Sequence, residues 1–294
     1  MSDRADKPLR RVRSILESPI LDAHKWAKVP GIPADAVLLD LEDSVPEQRK
    51  DEARAKVSAQ LADLAYLAGR VAIPRVNALG TPHGEADLRA VAAAGAQLVA
   101  YPKVGAAAEL DDVQAILRDA GADPQLVPII ETARAVLELD AIAARPRIGG
   151  LLFGPFDLAV DAGITPFDGP ALFGDAYHYA KSKLVLAGAA FEVPVFDFLL
   201  TPQLRDRDQV TSAADHARRM GFDGMATFYP AHVEVINAAF TPSTEAVAQA
   251  RQVVQAYEAA LGTGNAAAQI DGRALIVQDY KRALRTLERH GIAH

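Results

Sequence analysis

Acidic and basic side chains stand at the ends of the apolar runs of this chain, where a folded protein can bring polar groups to a surface without breaking its core. Asp40, Glu42 and Asp43 close AVLLDLED, Arg75 and Asn77 fall in VAIPRVN, Lys103 closes QLVAYPK, Glu131 closes QLVPIIE, Asp157 closes GGLLFGPFD, and Asp197 lies in PVFDFLL. Burying so much charge is costly unless it is paired or holds an ion. Glu131 and Asp157 offer hard carboxylate oxygens with no cysteine or histidine beside them, a donor set that suits Mg2+ or Mn2+ better than Zn2+. A second reading makes each of them a helix cap or the partner of a lysine. Arg75, preceded by Pro74 inside an apolar run, has the planar fork that fits a carboxylate or a thioester oxygen, and it would equally serve as a structural ion pair for the acids at 40–43. Lys103 reads as an ion-pair partner, of Glu42 for example, and nothing in the chain marks it as a Schiff-base lysine. Trp26, flanked by Lys25 and Lys28, would stack on and pair with a nucleotide-like anionic handle, or simply pack half-buried.

Other chemistries have less support. The histidines at 24, 83, 178, 216, 232, 290 and 294 show no ligand-like spacing. Cysteine is absent, which excludes disulfides, thiolate metal sites and cysteine nucleophiles.

Eight short apolar runs carry these residues, at 13–19, 36–42, 71–77, 97–103, 125–131, 149–157, 194–200 and 224–230. Helical periods fill the spaces between them. Residues 47–68 place Ala53, Val57, Leu61 and Leu64 on one face, and 105–120 and 133–144 behave alike. Near-continuous apolar strands alternating with amphipathic helices predict a parallel sheet buried on both faces, and eight units favour a closed α/β structure, the (β/α)8 TIM barrel, over an open sheet. No GxGxxG or GxxxxGK[ST] follows the early strands, so the usual nucleotide-binding loop is missing. In such a barrel the strand ends converge on one mouth, which makes the polar residues above neighbours.

The segment 163–183 reads as an inserted loop over that mouth. The expected division is a catalytic barrel over 1–243 and a helical extension over 244–294, with a helix, a GTGN turn, a short segment and a last helix from about Asp279. A chain of 294 residues, half of them apolar, fits one such barrel with a tail outside it. A net charge of −7 with interspersed signs speaks against a nucleic-acid surface, and no run reaches the ~18 apolar residues of a membrane span. The charged amino terminus has no apolar run behind it, and a cytoplasmic location is expected.

From LLDLEDSVPEQRKDEAR at 38–54 onward the chain resembles the citrate lyase β-subunit-like proteins of the HpcH/HpaI aldolase superfamily. The likeness continues in order through PRVNALGTPHGEADL, YPKV, PIIETARAVLELDAI, LLFGPFDLAVDAG and GFDGMATFYPAHVEVINAAFTPS, over about 205 residues. The resemblance implies a Mg2+-binding β/α barrel, a trimer or hexamer, acting on acyl-CoA thioesters. It places the metal carboxylates on Glu131 and Asp157 and the substrate arginine on Arg75. Glu42, Asp43 and Lys103 match the LDLED and PK motifs and join Arg75 as catalytic candidates. Asn77, Arg13 and Pro155 are expected beside Arg75 at the substrate, and Lys25 and Lys28 at the CoA handle.

The reaction implied is cleavage of a β-hydroxyacyl-CoA of the citryl, malyl or citramalyl kind into a CoA thioester and a 2-oxo acid. A thioester hydrolase, a CoA-independent 2-oxo-acid aldolase and a non-catalytic oxo-acid-binding homologue are the alternatives. Two departures stand out. Arg13-Ser14-Ile15-Leu16 leads into ESPILDAHKWAKV, without the phenylalanine and Pro-Gly turn of the family's RSLLFVPG. In the tail, the family's DGKMID, whose last aspartate serves a neighbouring subunit, corresponds to Asp271-Gly272-Arg273-Ala274-Leu275-Ile276, and Ile276 cannot ionise. Only a shift of the tail would let Asp271 or Asp279 take that place.

Overall fold

The computed structural model of the chain describes residues 8–165, 175–262, 268–270, 272–289 and 291. Eight parallel strands close into one barrel in sequence order: β1 (Ser14–Ser18), β2 (Ala36–Asp40), β3 (Val71–Arg75), β4 (Leu98–Tyr101), β5 (Gln125–Ile130), β6 (Leu151–Phe153), β7 (Val195–Phe198) and β8 (Gly224–Thr227). The (β/α)8 barrel expected from the apolar runs is thus the fold. β1 closes the ring on β8, Ser14 lying opposite Met225.

Burial on both faces explains why the strands read as unbroken apolar runs. Ile15, Leu38, Ile73, Val127, Leu152 and Phe196 point inward and pack together, with Leu9 and Val12 below them. Their strand neighbours Val37, Leu39, Val99, Ile130, Phe153 and Val195 point outward into the helix layer. Side-chain direction alternates along each strand, so the continuation of each inward row decides which polar groups reach the mouth.

Several strands stop short of their apolar runs, for local reasons. β6 ends at Phe153 because Pro155 begins the helix Pro155–Ala162 and its missing N–H cannot continue a ladder. The segment 47–68 is broken into a 3-10 turn, the helix Lys50–Ala62 and a second 3-10 turn, Leu64–Leu67. Asp63 leaves the helical region there and its carboxylate accepts from the Ala65 N–H, so Leu64 leaves the buried face of Ala53, Val57 and Leu61 and is 45% exposed. Residues 133–144 form two short helices, Ala133–Leu137 and Leu139–Ala143, and 105–120 holds the helix Glu109–Asp119.

The reading of 163–183 as one loop needs correction. Residues 166–174 lie outside the described part, but the helix His178–Phe191 occupies the ordinary helix position before β7. Contacts divide the chain into Met1–Phe240 and Thr241–His294. In the second unit the helix Thr244–Gly262 packs on Val277–Arg289 through Ala250, Val254, Ala283 and Leu287, and Tyr257 stacks on Tyr280. Between them β9 (Ala268–Ile270) and β10 (Arg273–Leu275) pair antiparallel. Asp271 and residues 263–267, which include most of the GTGN turn, lie outside the described residues. Among the described residues no helix is long and apolar enough to cross a membrane.

Candidate active site

Four inward rows end in charge at the carboxyl rim: Ile15 is followed by Glu17, Leu38 by Asp40, Ile73 by Arg75 and Ile129 by Glu131. Asp40 is fully buried and accepts from the Glu42 and Ser44 N–H groups, each at 2.9 Å, and from Arg75 Nε at 2.6 Å. Burial pushes its carboxyl upward, but the Arg75 charge and these three donors outweigh that and hold the pKa at about 2. Arg75 Nη2 donates to Glu17 Oε1 at 2.8 Å, and Arg75 Nε lies 3.5 Å from Glu42 Oε2. Desolvation works against the guanidinium charge, yet the surrounding carboxylates raise its pKa well above the usual arginine value.

Lys103 is the second organiser. Its backbone adopts φ +49°, a left-handed conformation that costs a non-glycine residue on the order of 1 kcal/mol. The turn aims its N–H at Glu131 Oε1, 2.7 Å away, and its Nζ at Glu42 Oε1 (2.6 Å), Asp43 Oδ1 (3.2 Å) and Asp157 Oδ1 (4.0 Å). One residue therefore ties four carboxylates into a single cluster.

Glu131 is 3% exposed. Burial first, then the charges of Glu42 and Asp157, push its pKa up to about 8 against the hydrogen bond from Lys103 N–H. Gly154 makes room for it: a Cβ there would lie 2.5 Å from both Glu131 Cβ and Oε2. Asp157 does not end a strand, as its run suggested. It stands in the first turn of the helix Pro155–Ala162, and its side chain is 40% exposed.

Glu17, Asp43, Arg75, Glu131 and Asp157 line one pocket with Leu38, Ile129, Leu152, Pro155 and four phenylalanines, Phe153, Phe156, Phe198 and Phe228. The pocket is open to solvent and encloses about 230 Å3, room for a small acid beside an ion. A hard dication fits this donor set. Glu42 Oε2 is buried without a hydrogen-bond partner, and carboxylates crowd where only oxygen donors are present. Among the described residues no three acidic or histidine side chains converge tightly enough to hold a metal by themselves. Mg2+ is commonly held by one or two carboxylates, with water and substrate oxygens completing the octahedron.

Not every candidate joins this cluster. Arg13 stands before β1, at the opposite, amino end of the barrel, and its guanidinium grips Asp35 at 2.8 Å, so it is corrected to a structural ion pair. Asn77 follows the end of β3 and turns away from the pocket: its amide donates to Leu41 O and Asp87 and accepts from Lys50 Nζ in a buried network. Asp197 points outward to Lys181 Nζ at 2.7 Å because Phe196 and Phe198 hold the inward positions of β7. Lys25 and Lys28 are exposed beyond β1 and do not line the pocket, and Trp26 stacks on Tyr66 at 5.4 Å. Pro155 is at the wall as expected.

Sequence reasoning missed Glu17 and the ring cluster of Phe156, Phe198 and Phe228, whose centroids lie 5.6–6.3 Å apart. The signal for Glu17 was present, a carboxylate two residues after Ile15 on the same strand face. Burial pushes its pKa up to about 7, partly offset by Arg75 and reinforced by Asp40, Asp43 and Glu42.

Fold and pocket together define a (β/α)8-barrel enzyme with an acid-rich mouth at the carboxyl ends of its strands. The profile of the HpcH/HpaI aldolase/citrate lyase family matches residues 13–230, and the chain belongs to that family. It is 34% identical over 261 residues to a (3S)-malyl-CoA thioesterase of Cereibacter sphaeroides, covering 89% of this chain and 88% of that protein. Citramalyl-CoA lyase of Rattus norvegicus mitochondria is 27% identical over 84% of this chain and 76% of its own. CitE of Mycobacterium tuberculosis, solved with magnesium, acetoacetate and coenzyme A, superposes with a TM-score of 0.77 at 28% identity, over 96% of this chain and all of that one.

Proposed function

We propose that this chain is a Mg2+-dependent carbon–carbon lyase that cleaves a β-hydroxyacyl-CoA to a CoA thioester and a 2-oxo acid, with Glu131 and Asp157 as metal ligands. The observation that carries the reading is a single pocket holding both carboxylates beside a buried arginine. A bound Mg2+ supplies Lewis-acid polarisation of the oxygens of the oxo-acid half. Arg75 offers a fixed positive fork to charge developing on the thioester oxygen or to a carboxylate, and Asp40, fully buried, prevents that fork from turning. Lys103 holds Glu42 and Asp43 and keeps Glu131 oriented through its N–H. With isoleucine at 276, proton transfer falls to a carboxylate of the mouth or to water. A trimeric or hexameric assembly, a cytoplasmic location and a tail acting as an inter-subunit lid belong to the same proposal, supported by the family membership.

Thioester hydrolysis is the second reading, favoured by the 34% identity to a (3S)-malyl-CoA thioesterase. Incubation with Mg2+ and malyl-, citramalyl- or citryl-CoA separates the two. A lyase releases a 2-oxo acid and no free thiol; a hydrolase releases free CoA and no 2-oxo acid. Glu131→Gln and Asp157→Asn should each weaken Mg2+ binding, read by calorimetry, by about 10-fold or more. Full retention of binding in both variants would reject the assigned ligands.

A further inference from the structure

The pocket divides by chemistry around the barrel. Charge occupies the arc from β1 to β5, with Glu17, Asp40, Arg75 and Glu131, and extends to Asp157 after β6. The remaining arc is aromatic: Phe156 next to Asp157, Phe198 at the end of β7 and Phe228 just after β8. Their rings touch one another as one cluster, Phe156 to Phe198 at 5.6 Å and Phe198 to Phe228 at 6.0 Å. Phe156 and Phe228 are 44% and 45% exposed, large apolar surfaces left open at the rim. Glu17, on the strand next to β8, bounds this aromatic arc at its far end.

Among the described residues Arg75 is the one cation in the pocket lining, and Asp40 and Glu17 already hold two of its nitrogens. Lys103 is held on the acidic side by Glu42 and Asp43. Among the described residues, a substituent lying over β7 and β8 would therefore meet three phenyl rings and a carboxylate, with no free positive partner. Apolar groups gain there by leaving water, whereas a carboxylate would lose its hydration beside a like charge.

We propose that the aromatic arc and Glu17 make this a site for 2-oxo acids whose side chain is apolar, and that they exclude those bearing a second carboxylate. The inference rests on the metal-dependent lyase reading and narrows its substrates to those that yield a monocarboxylic oxo acid. Phe228 and Phe156 provide the attractive surface, and Glu17 supplies the repulsion while occupying the arginine nitrogen that a distal carboxylate would need.

Calorimetry at pH 8 with saturating Mg2+ tests this on the full chain, titrating pyruvate, 2-oxohexanoate and 2-oxoglutarate. The expected result is that 2-oxohexanoate binds at least about tenfold tighter than 2-oxoglutarate. Glu17→Gln should narrow that ratio by strengthening 2-oxoglutarate, and Phe228→Ala, at an exposed position, should narrow it by weakening 2-oxohexanoate. Equal or tighter binding of 2-oxoglutarate to the wild type overturns the inference, and so does a ratio that neither variant moves. If pyruvate itself shows no Mg2+-dependent binding, the lyase reading fails first and the substrate class falls with it.

Discussion

Buried at the end of β2, Asp40 connects the pH behaviour of the fold to the orientation of Arg75. Its pKa of about 2 lies below an ordinary aspartate, so its contribution to stability, on the order of 2 kcal/mol, is present above about pH 4 and lost as pH falls toward 2. Urea midpoints at pH 5 and pH 3 should therefore differ more in the wild type than in Asp40→Asn. That variant should itself be destabilised by about 3 kcal/mol at pH 7, since it leaves a buried guanidinium short of its main partner. Glu17 and Glu131 act with the opposite sign. Their folded pKa values, about 7 and about 8, exceed the unfolded ones, so the protonated forms favour folding below about pH 4.5 and that stability is lost as pH rises through 7 and 8. Without added metal the melting temperature should fall between pH 5 and 8. Mg2+ should flatten that slope by favouring the ionised carboxylates, and a slope unchanged by Mg2+ would count against the metal site.

Among the elements, the turn from β6 into the helix Pro155–Ala162 sets the most exacting geometry. Gly154 gives the Glu131 carboxylate the space it occupies, and Pro155 starts the helix that delivers Asp157. Gly154→Ala should move Glu131 and weaken Mg2+ binding by about 10-fold or more, and it should also lower the melting temperature, because the clash includes Glu131 Cβ, which can shift only with the backbone of β5. The same arithmetic at Gly224 has another outcome. A Cβ there would clash with Arg13 O, a backbone atom that has no room to yield, so Gly224→Ala should lower the melting temperature markedly through the β8–β1 seam. Mg2+ calorimetry beside thermal unfolding distinguishes a site defect, in which affinity falls, from a barrel defect, in which the folded variant keeps it.

In the whole molecule, every residue of the proposed metal and arginine site belongs to the unit Met1–Phe240. Removal of residues 244–294 should therefore leave Mg2+ affinity, measured by calorimetry, within about twofold of the full chain, whatever it does to turnover or assembly. The sequence by itself determined the barrel, because strands buried on both faces must be written as short apolar runs, and it located Arg75, Lys103, Glu131 and Asp157 as charges that such runs would not carry idly. It did not determine where those charges face. Asp197 and Glu17 look alike as acids in apolar strands, yet one turns outward to Lys181 and the other inward to Arg75. Arg13 and Arg75 both flank strands, and they lie at opposite ends of the barrel. Facing depends on the phase of a two-residue alternation, and that phase is fixed only when all eight strands take their register around a closed ring. Tertiary structure also joined Glu17, Phe156, Phe198 and Phe228, residues up to 211 positions apart, into one wall, a proximity that closure of β8 onto β1 creates and no local pattern encodes.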